Sequence, residues 1–349
     1  MKFEGAYTAI VTPMLSDGTF DYEGFQKNVE FQISQGITGI VPAGTTGESP
    51  TLGWDDHAAV IDKCVEFAGG RCQIIAGTGS NSTEEALMRT THAAQAGVKA
   101  VLMVDCYYNG PSSLELRDDY YSAIADLVPE VSIIPYIIPG RTATALAVED
   151  LAILYARHPQ ISAVKEATGD LERMKLTRKL CGDEFSILSG DDDLTYKMIT
   201  DPEIAADGVI SVMSNITPAA IEEMVSAARS GDTTKAEKLQ NALSPLFGVV
   251  TVKVENDRLL PDGRTVKVMD KYRNPLAVKT LMNSLGMPSG PTRPPLGKMT
   301  KLGVDTVRQA VKAVWEKNPE ILNPIAEFYG IDIEKQISDD NVWQELAHP

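Results

Sequence analysis

The sequence predicts an α/β fold, a (β/α)8 TIM barrel with a C-terminal helical region. Short apolar runs alternate with helical segments of roughly 12 to 18 residues, and the apolar runs have few of the alternating polar residues that a one-sided sheet shows. Eight such units fit into the first 230 residues, which matches a barrel in count and length. An open doubly wound sheet fits less well, because no G-x-G-x-x-G motif follows the first strand.

Each predicted strand is a short run rich in Ile, Val and Ala. The eight runs are Tyr7–Thr12, Gly39–Ala43, Gln73–Gly77, Ala100–Asp105, Val131–Ile137, Ser162–Glu166, Ser186–Ser189 and Gly208–Val212. Helical periodicity fills the intervals, and Ser82 before Glu84 and Glu85 is typical of a capped helix start. The predicted helices are Tyr22–Gln35, Asp55–Phe67, Thr83–Gln95, Leu114–Leu127, Val148–Arg157 and Leu171–Leu180.

The alternation stops near residue 230. We therefore divide the chain into a barrel with the catalytic site over residues 1–230 and a C-terminal helical region over 231–349. Two alternating runs that begin at Thr251 and Thr265 flank a Pro-Asp-Gly turn, which predicts a hairpin inserted at about 250–273; a solvated loop is the alternative. An extended tail covers about 319–349. Helical patterns in this region cover Thr233–Leu243, Pro275–Leu285 and Val304–Lys317.

The composition excludes several classes of function. The chain has 349 residues, and 32 basic against 48 acidic residues give a net charge of −16. Such an acidic surface disfavours binding to nucleic acid or to an anionic membrane. No apolar run approaches the roughly 20 residues of a membrane span, and the N-terminus lacks the features of a signal peptide. Neither the four cysteines nor the four histidines have metal-ligand spacing. We expect a cytoplasmic protein without a metal.

Barrel enzymes carry their active site at the C-terminal ends of the strands. The second strand ends in Gly44–Glu48, a Gly-Thr-Thr-Gly-Glu turn in which backbone N–H groups and two hydroxyls can bind a small anion. Taken alone, this turn is more often an ordinary strand-to-helix connection. The next candidates are Tyr107, Tyr108, Tyr136 and Arg141, for which a packed ring and a surface ion pair are the alternatives.

Lys165 carries the strongest chemical signal. It lies in the apolar run Ile161–Ala167, and burial lowers the pKa of a lysine toward a neutral, nucleophilic amine. Such an amine forms a Schiff base with a ketone. A lysine that extends to solvent from the strand end is the alternative. The hydroxyls, tyrosines, arginine and lysine at one end of the barrel together favour chemistry.

Several motifs occur in the order and spacing of a known family. Over about residues 3 to 315 the sequence resembles the pyruvate-dependent class I aldolases, the N-acetylneuraminate lyase superfamily, and within them the dihydrodipicolinate synthases. The resemblance implies a lyase that condenses pyruvate with L-aspartate 4-semialdehyde to 4-hydroxy-tetrahydrodipicolinate, the first committed step of lysine and diaminopimelate biosynthesis. The motifs are Gly44–Glu48, Tyr107–Asn109, Tyr136–Thr142, Val164–Ala167, Ser189–Asp192, Gly208–Val212, Asn274–Lys279 and Arg293–Leu296.

The resemblance also implies roles for the catalytic residues. Lys165 would form a covalent imine with pyruvate, with no other cofactor. Thr46, Tyr136 and Tyr108 would form a proton relay. Tyr108 would reach in from a neighbouring subunit, because the family usually assembles as a homotetramer, a dimer of dimers.

Further residues are implied to bind the substrates. Thr45 and the Thr46 backbone would hold the pyruvate carboxylate, and Arg141 would bind the carboxylate of aspartate semialdehyde. The carbonyls of Gly190 and Ile210 would line the site. A feedback site for lysine is also implied, with packing at a helix start as the alternative for two of its members. Its residues are Ser49, Trp54, His57, Asn81, Glu85 and Tyr107.

Some features leave alternatives open. Pro135 and Ile137 flank Tyr136 where the family usually has an apolar residue and Asn. N-acetylneuraminate lyases and 2-keto-3-deoxy sugar acid lyases share the lysine and the tyrosine, but Thr45 with Arg141 favours the semialdehyde enzyme, because a short acidic aldehyde needs a cationic fork. A non-catalytic ligand-binding barrel is the alternative of another class, although it has no need of a nucleophilic lysine.

Overall fold

The computed structural model describes residues 1–349, and eight parallel strands close into a barrel in chain order. Gly5 of the first strand pairs with Gly208 of the last and so closes the sheet. The predicted barrel and its eight strands are confirmed. The strands are β1 (Gly5–Ala9), β2 (Gly39–Val41), β3 (Gln73–Gly77), β4 (Ala100–Val104), β5 (Ser132–Ile137), β6 (Ala163–Glu166), β7 (Ser186–Ser189) and β8 (Gly208–Ser211).

Helices cover the outside of the barrel. Side-chain caps start several of them: Asp21 accepts from the Gly24 N–H at 2.9 Å, as the preference of Asp for this position predicts. None of the helices has the length and apolar content of a membrane span. The barrel helices are α1 (Tyr22–Ser34), α2 (Trp54–Ala68), α3 (Thr83–Gln95), α4 (Ser113–Glu115), α5 (Ala123–Leu127), α6 (Pro139–Thr142), α7 (Val148–Arg157), α8 (Leu171–Cys181), α9 (Thr195–Thr200) and α10 (Pro218–Ser230).

The helix predicted over Leu114–Leu127 is not a continuous α-helix. A π-helical segment, Leu116–Ser122, separates α4 from α5. Its wider turn accompanies two adjacent buried tyrosines, Tyr120 and Tyr121, whose hydroxyls donate to the β4 carbonyls of Val104 and Met103 at 3.1 Å. Two consecutive inward rings do not fit the one-sided apolar pattern of an α-helix, which explains the difference from the prediction.

Two apolar clusters follow from the alternation of side chains along the strands. One cluster of 12 residues fills the barrel interior, and one of 79 residues lies between the strands and the helices. In β6, Ala163 belongs to the interior cluster and Val164 to the outer one. Lys165 follows on the same face as Ala163, so the strand period itself turns this lysine into the barrel.

The C-terminal region begins with α11 (Thr233–Phe247) and continues into a hairpin of β9 (Thr251–Leu259) and β10 (Thr265–Arg273). The two strands pair antiparallel from Thr251↔Arg273 to Leu259↔Thr265, so the alternating runs form a hairpin rather than an irregular loop. The tail consists of helices, and Trp343 of its last helix is buried. The remaining helices are α12 (Leu276–Ser284), α13 (Lys301–Lys317), α14 (Asn323–Tyr329), α15 (Ile333–Ser338) and α16 (Asp340–Leu346).

Candidate active site

A cavity of about 220 Å³ opens at the C-terminal ends of the barrel strands, the end where barrel enzymes carry their chemistry. It continues into a wider groove of about 620 Å³ between the hairpin and the residues after α12. Six residues named from the sequence line the inner cavity. They are Thr45, Thr46, Tyr136, Arg141, Lys165 and Gly190.

Lys165 is buried at the inner end of this cavity, with 4% of its surface exposed. Burial lowers the pKa of its ammonium to about 8, although the nearby carboxylates of Asp191 and Asp192 favour the charged form. The Nζ atom lies 4.3 Å from the centre of the Tyr136 ring. The side chain therefore does not extend to solvent from the strand end, and it has the environment of a nucleophilic amine.

Tyr136 is brought to Lys165 by strand pairing, because the two residues are register partners in β5 and β6. Burial raises the pKa of its phenol to about 12, and a hydrogen bond with the Thr45 side chain opposes this shift. The unusual neighbours do not displace the ring: Pro135 pairs with Met103 in the β4–β5 register, and Ile137 is wholly buried. Tyr136 still lines the cavity.

The two threonines of the turn have different neighbours. The Thr46 hydroxyl accepts a hydrogen bond from Asn274 Nδ2 at 2.9 Å, whereas the Thr45 side chain lies near Tyr136 and acts to lower the pKa of its phenol. Both threonines line the cavity that holds Tyr136. The predicted place of Thr46 in the proton relay stays a prediction, and Thr45 is a second candidate for it.

Arg141 lies in α6, at the mouth of the cavity. Its Nη2 donates to the Asn274 carbonyl at 3.0 Å. Desolvation lowers the pKa of this guanidinium, and the nearby Arg273 lowers it further. No carboxylate forms a salt bridge with Arg141, so the predicted ion-pair alternative is wrong and the guanidinium is free to bind an anion.

Gly190 has a steric role beside Lys165. A Cβ atom at this position would lie 2.7 Å from Ala167 Cβ and 3.1 Å from Lys165 Cε. A side chain there would push on the stem of the lysine. Glycine is therefore the residue that leaves Lys165 its room.

Two predicted site residues are not among those that line the cavity of this chain. The Ile210 side chain is wholly buried in the barrel interior, and Val212, just after β8, lines the cavity; the role of the Ile210 carbonyl stays a prediction. Tyr108 is 89% exposed and its φ is 80°, a left-handed backbone that tyrosine rarely adopts. Tyr108 does not line the cavity of its own chain.

Among the cavity residues without a role assigned from the sequence, four carry a charge or a side-chain amide: Asp191, Lys271, Arg273 and Asn274. Burial raises the pKa of the Asp191 carboxyl to about 6. Asn274 Oδ1 is buried without a hydrogen-bond partner. Asp191 and Asn274 lie in the motifs Ser189–Asp192 and Asn274–Lys279, so both could have been assigned to the site from the sequence. The two basic residues end a surface hairpin, and nothing local in the sequence connects that hairpin with the cavity.

Glu48, the last residue of the Gly-Thr-Thr-Gly-Glu turn, forms a buried ion pair. Its Oε1 lies 2.6 Å from Lys279 Nζ, and both side chains are 1% exposed. Lys279 also donates to the carbonyls of Thr12 and Pro291, and Glu48 accepts from the Arg293 N–H. Glu48 thus connects the Gly44–Glu48 turn to α12 and to the loop that follows it.

The residues of the implied lysine site lie around the starts of α2 and α3 and the end of β4. His57 is buried, neither ring nitrogen has a hydrogen-bond partner of normal geometry, and desolvation lowers the pKa of the imidazole to about 3. Glu85 forms a salt bridge with Arg89 at 2.7 Å, and its charge contributes to the raised pKa of the Tyr107 phenol. Ser49 and Asn81 lie nearer the surface. The Trp54 ring stacks edge-on against His92.

Comparison with known proteins identifies the family. Residues 2–314 match the model of the dihydrodipicolinate synthetase family. The chain belongs to this family. The 4-hydroxy-tetrahydrodipicolinate synthase of Methanococcus maripaludis (strain C7 / ATCC BAA-1331) is 38% identical over 308 residues, which cover 88% of this chain and 97% of that protein.

Solved structures of the dihydrodipicolinate synthase family share the fold. The chloride-inhibited dihydrodipicolinate synthase of Acinetobacter baumannii, complexed with pyruvate, matches with a TM-score of 0.80 at 35% identity and covers 90% of this chain and 99% of its own. The enzyme of Cyanidioschyzon merolae with lysine bound matches with a TM-score of 0.79 at 32% identity, covering 89% and 98% of the two chains. Pyruvate and lysine are thus ligands of relatives that share this barrel.

Proposed function

We propose that the protein is a 4-hydroxy-tetrahydrodipicolinate synthase, which condenses pyruvate with L-aspartate 4-semialdehyde. One observation carries the proposal: a cavity with a buried lysine at its inner end and an arginine without an acidic partner at its mouth. Lys165 suits a keto acid, and Arg141 suits the carboxylate of a short aldehyde. The activity named for the relatives agrees with this chemistry.

The reaction begins with the neutral amine of Lys165. It attacks the ketone carbon of pyruvate, and loss of water gives the imine. Removal of a proton from the methyl carbon then gives the enamine. Tyr136, next to Lys165 and lining the same cavity as Thr45 and Thr46, is the group positioned to move these protons. The backbone of the turn at Thr46 holds the pyruvate carboxylate.

The second substrate enters from the mouth, with its carboxylate on Arg141. The enamine carbon attacks the aldehyde and forms the new carbon–carbon bond. The amine of the semialdehyde then attacks the imine carbon, which closes the ring and releases Lys165. Every covalent step uses Lys165 or the substrates, so no metal or organic cofactor is needed.

We extend the proposal to the assembly and to regulation. Tyr108 completes the proton relay in a neighbouring subunit of a homotetramer; its exposed ring and its left-handed backbone support this. Lysine inhibits the enzyme at the site formed by Ser49, Trp54, His57, Asn81, Glu85 and Tyr107.

A comparison of acceptors at fixed enzyme concentration tests the activity. Pyruvate is supplied with aspartate semialdehyde, with N-acetylmannosamine or with glyceraldehyde, and its consumption is followed. Fast turnover only with the semialdehyde supports the synthase. Preference for a sugar aldehyde would retain Lys165 but move the protein to the sugar acid lyases. Failure of borohydride to trap a pyruvate adduct would favour a non-catalytic binding barrel.

A further inference from the structure

The β9–β10 hairpin brings unneutralised positive charge to the mouth of the cavity. Lys271 and Arg273, at the end of β10, line the cavity together with Arg141. None of these three side chains forms a salt bridge, although the chain carries a net charge of −16. The acidic residue that lines the same cavity, Asp191, interacts with Lys165 at the inner end.

Whether a basic residue of the hairpin has an acidic partner depends on its distance from the cavity. Far from the cavity, each has an acidic partner: Arg258 lies 2.6 Å from Asp270, and Arg264 lies 2.8 Å from Asp262. Near the cavity, Lys271 is instead the register partner of Lys253. Like charges directly opposite on antiparallel strands destabilise a hairpin. The sequence thus tolerates repulsion only at the end that faces the cavity.

The two arginines at the mouth are held in place by reciprocal hydrogen bonds. Arg141 donates to the carbonyl of Asn274, and Arg273 donates to the carbonyl of Gly140 at 2.7 Å. A guanidinium has five N–H donors, so each arginine keeps free donors after this bond. Two positioned guanidinium groups without a carboxylate form a site for one.

We propose that Arg273 and Arg141 bind the carboxylate of the acceptor aldehyde together, and that Lys271 attracts this anion to the mouth. The identity of the acceptor rests on the function proposed above. In this view the hairpin is part of the substrate site and selects anionic aldehydes over neutral ones. Its charges act on the second substrate, because pyruvate binds at the other end of the cavity.

The first test is steady-state kinetics of Arg273→Ala. We expect KM for aspartate semialdehyde to rise about tenfold or more, as for a lost hydrogen bond to a charged group, with KM for pyruvate within about twofold. Arg273→Gln keeps an N–H donor for Gly140 but no charge and should be as impaired, whereas Arg273→Lys should recover in part. If KM for the semialdehyde recovers in Arg273→Gln but not in Arg273→Lys, Arg273 only holds the loop through its hydrogen bond, and the proposal is overturned.

Lys271→Ala should lower kcat/KM for the semialdehyde several-fold at low ionic strength, and the deficit should disappear at about 0.5 M salt, where such attraction is screened. The matched control is Lys267→Ala, a basic residue of the same strand whose partner is Glu255. It should match the wild type at every salt concentration. An equal effect of both variants would contradict the role of Lys271.

A binding experiment separates this inference from the proposed function. The imine of Lys165 with pyruvate is reduced with borohydride, so that no bond to the acceptor forms. Succinate semialdehyde, which has the carboxylate, and butanal, which lacks it, are then titrated by calorimetry. Arg273→Ala should weaken the binding of succinate semialdehyde about tenfold and leave the affinity for butanal unchanged. If the wild type does not turn over aspartate semialdehyde, the proposed function fails, yet weaker binding of succinate semialdehyde by Arg273→Ala would still support the carboxylate site. Equal affinity of the variant and the wild type for succinate semialdehyde would overturn the carboxylate site.

Discussion

The Glu48 carboxylate and the Lys279 ammonium lie 2.6 Å apart, and both side chains are 1% exposed. They are 231 residues apart in sequence, yet they connect the Gly44–Glu48 turn to the helix that follows the hairpin. Removal of one partner leaves a buried charge without compensation. Loss of one partner of this buried pair therefore destabilises the fold far more than loss of one partner of an ion pair at the surface.

We therefore expect Lys279→Met to lower the free energy of unfolding by about 3 kcal/mol or more. Urea denaturation followed by circular dichroism measures the change. The double variant Glu48→Gln with Lys279→Met should recover part of this loss, since no ionised group is then buried alone. The loss in the single variant should far exceed that in Lys312→Met, whose partner Glu316 is exposed. Equal losses would contradict the argument.

Formation of the pyruvate imine should accelerate with pH up to about pH 8. The pKa of Lys165 is lowered to about 8 by burial, so raising the pH increases the neutral, reactive fraction of the amine. At pH 7 about a tenth of the amine is neutral, against roughly 0.03% for a lysine of ordinary pKa. Trapping with cyanoborohydride in the first seconds after mixing measures the rate. A rate that keeps rising to pH 10 without levelling off would indicate a lysine of ordinary pKa.

Lys165→Ala is the control for that series and should give no adduct at any pH. Lys279→Met is unsuitable as a control, because that residue supports the turn at Glu48. Persistence of the adduct in Lys165→Ala at wild-type yield would move the nucleophile to another residue.

The two threonines of the turn should respond differently to loss of the hydroxyl. Thr45→Val removes the hydroxyl that acts on the pKa of Tyr136 and, if Thr45 belongs to the proton relay, should lower kcat by roughly 100-fold. Thr46→Val breaks the hydrogen bond to Asn274 and should chiefly change KM. Steady-state kinetics with both substrates varied separates the two. If Thr46→Val shows the larger loss of kcat, the relay residue is Thr46 after all.

Mixing two inactive variants tests the source of the relay tyrosine. Tyr108→Phe and Lys165→Ala should each be inactive, but a hybrid pair contains one site with both wild-type residues. Random reassociation should restore activity to about a quarter of the wild-type value, since half of the pairs are hybrid with one intact site each. Mixing without dissociation is the control. No recovery after verified subunit exchange would contradict a relay shared between subunits.

Removal of metal ions should not change the activity. In the proposed mechanism the imine of Lys165 takes up the electrons of the broken C–H bond, which a metal ion would otherwise have to do, and the structure contains no group of three or more His, Cys, Asp or Glu residues that could hold a metal. Dialysis against EDTA followed by the condensation assay measures this. A loss of activity that Zn²⁺ or Mg²⁺ restores would require a different mechanism.

The barrel and its catalytic end were predictable because both are encoded locally. Apolar runs define the strands, and their period of two turns Lys165 inward. The partner of a side chain is not encoded in this way. Thr46 bonds to Asn274, 228 residues away, so the direction of each hydroxyl depends on packing that the turn alone does not specify. For the same reason the hairpin appeared as a surface insertion, although its last residues line the cavity.

The contribution of Asn274 and Arg273 to the cavity has a consequence for protein engineering. A fragment that ends at residue 230 would retain all eight strands and Lys165. It would lack the partner of the Thr46 hydroxyl, the backbone carbonyl that holds Arg141, and the ammonium that neutralises Glu48. Transplanting this site onto another barrel therefore requires the C-terminal segment as well. The eight strands end before residue 230, whereas the residues that complete the cavity come from the segment after it.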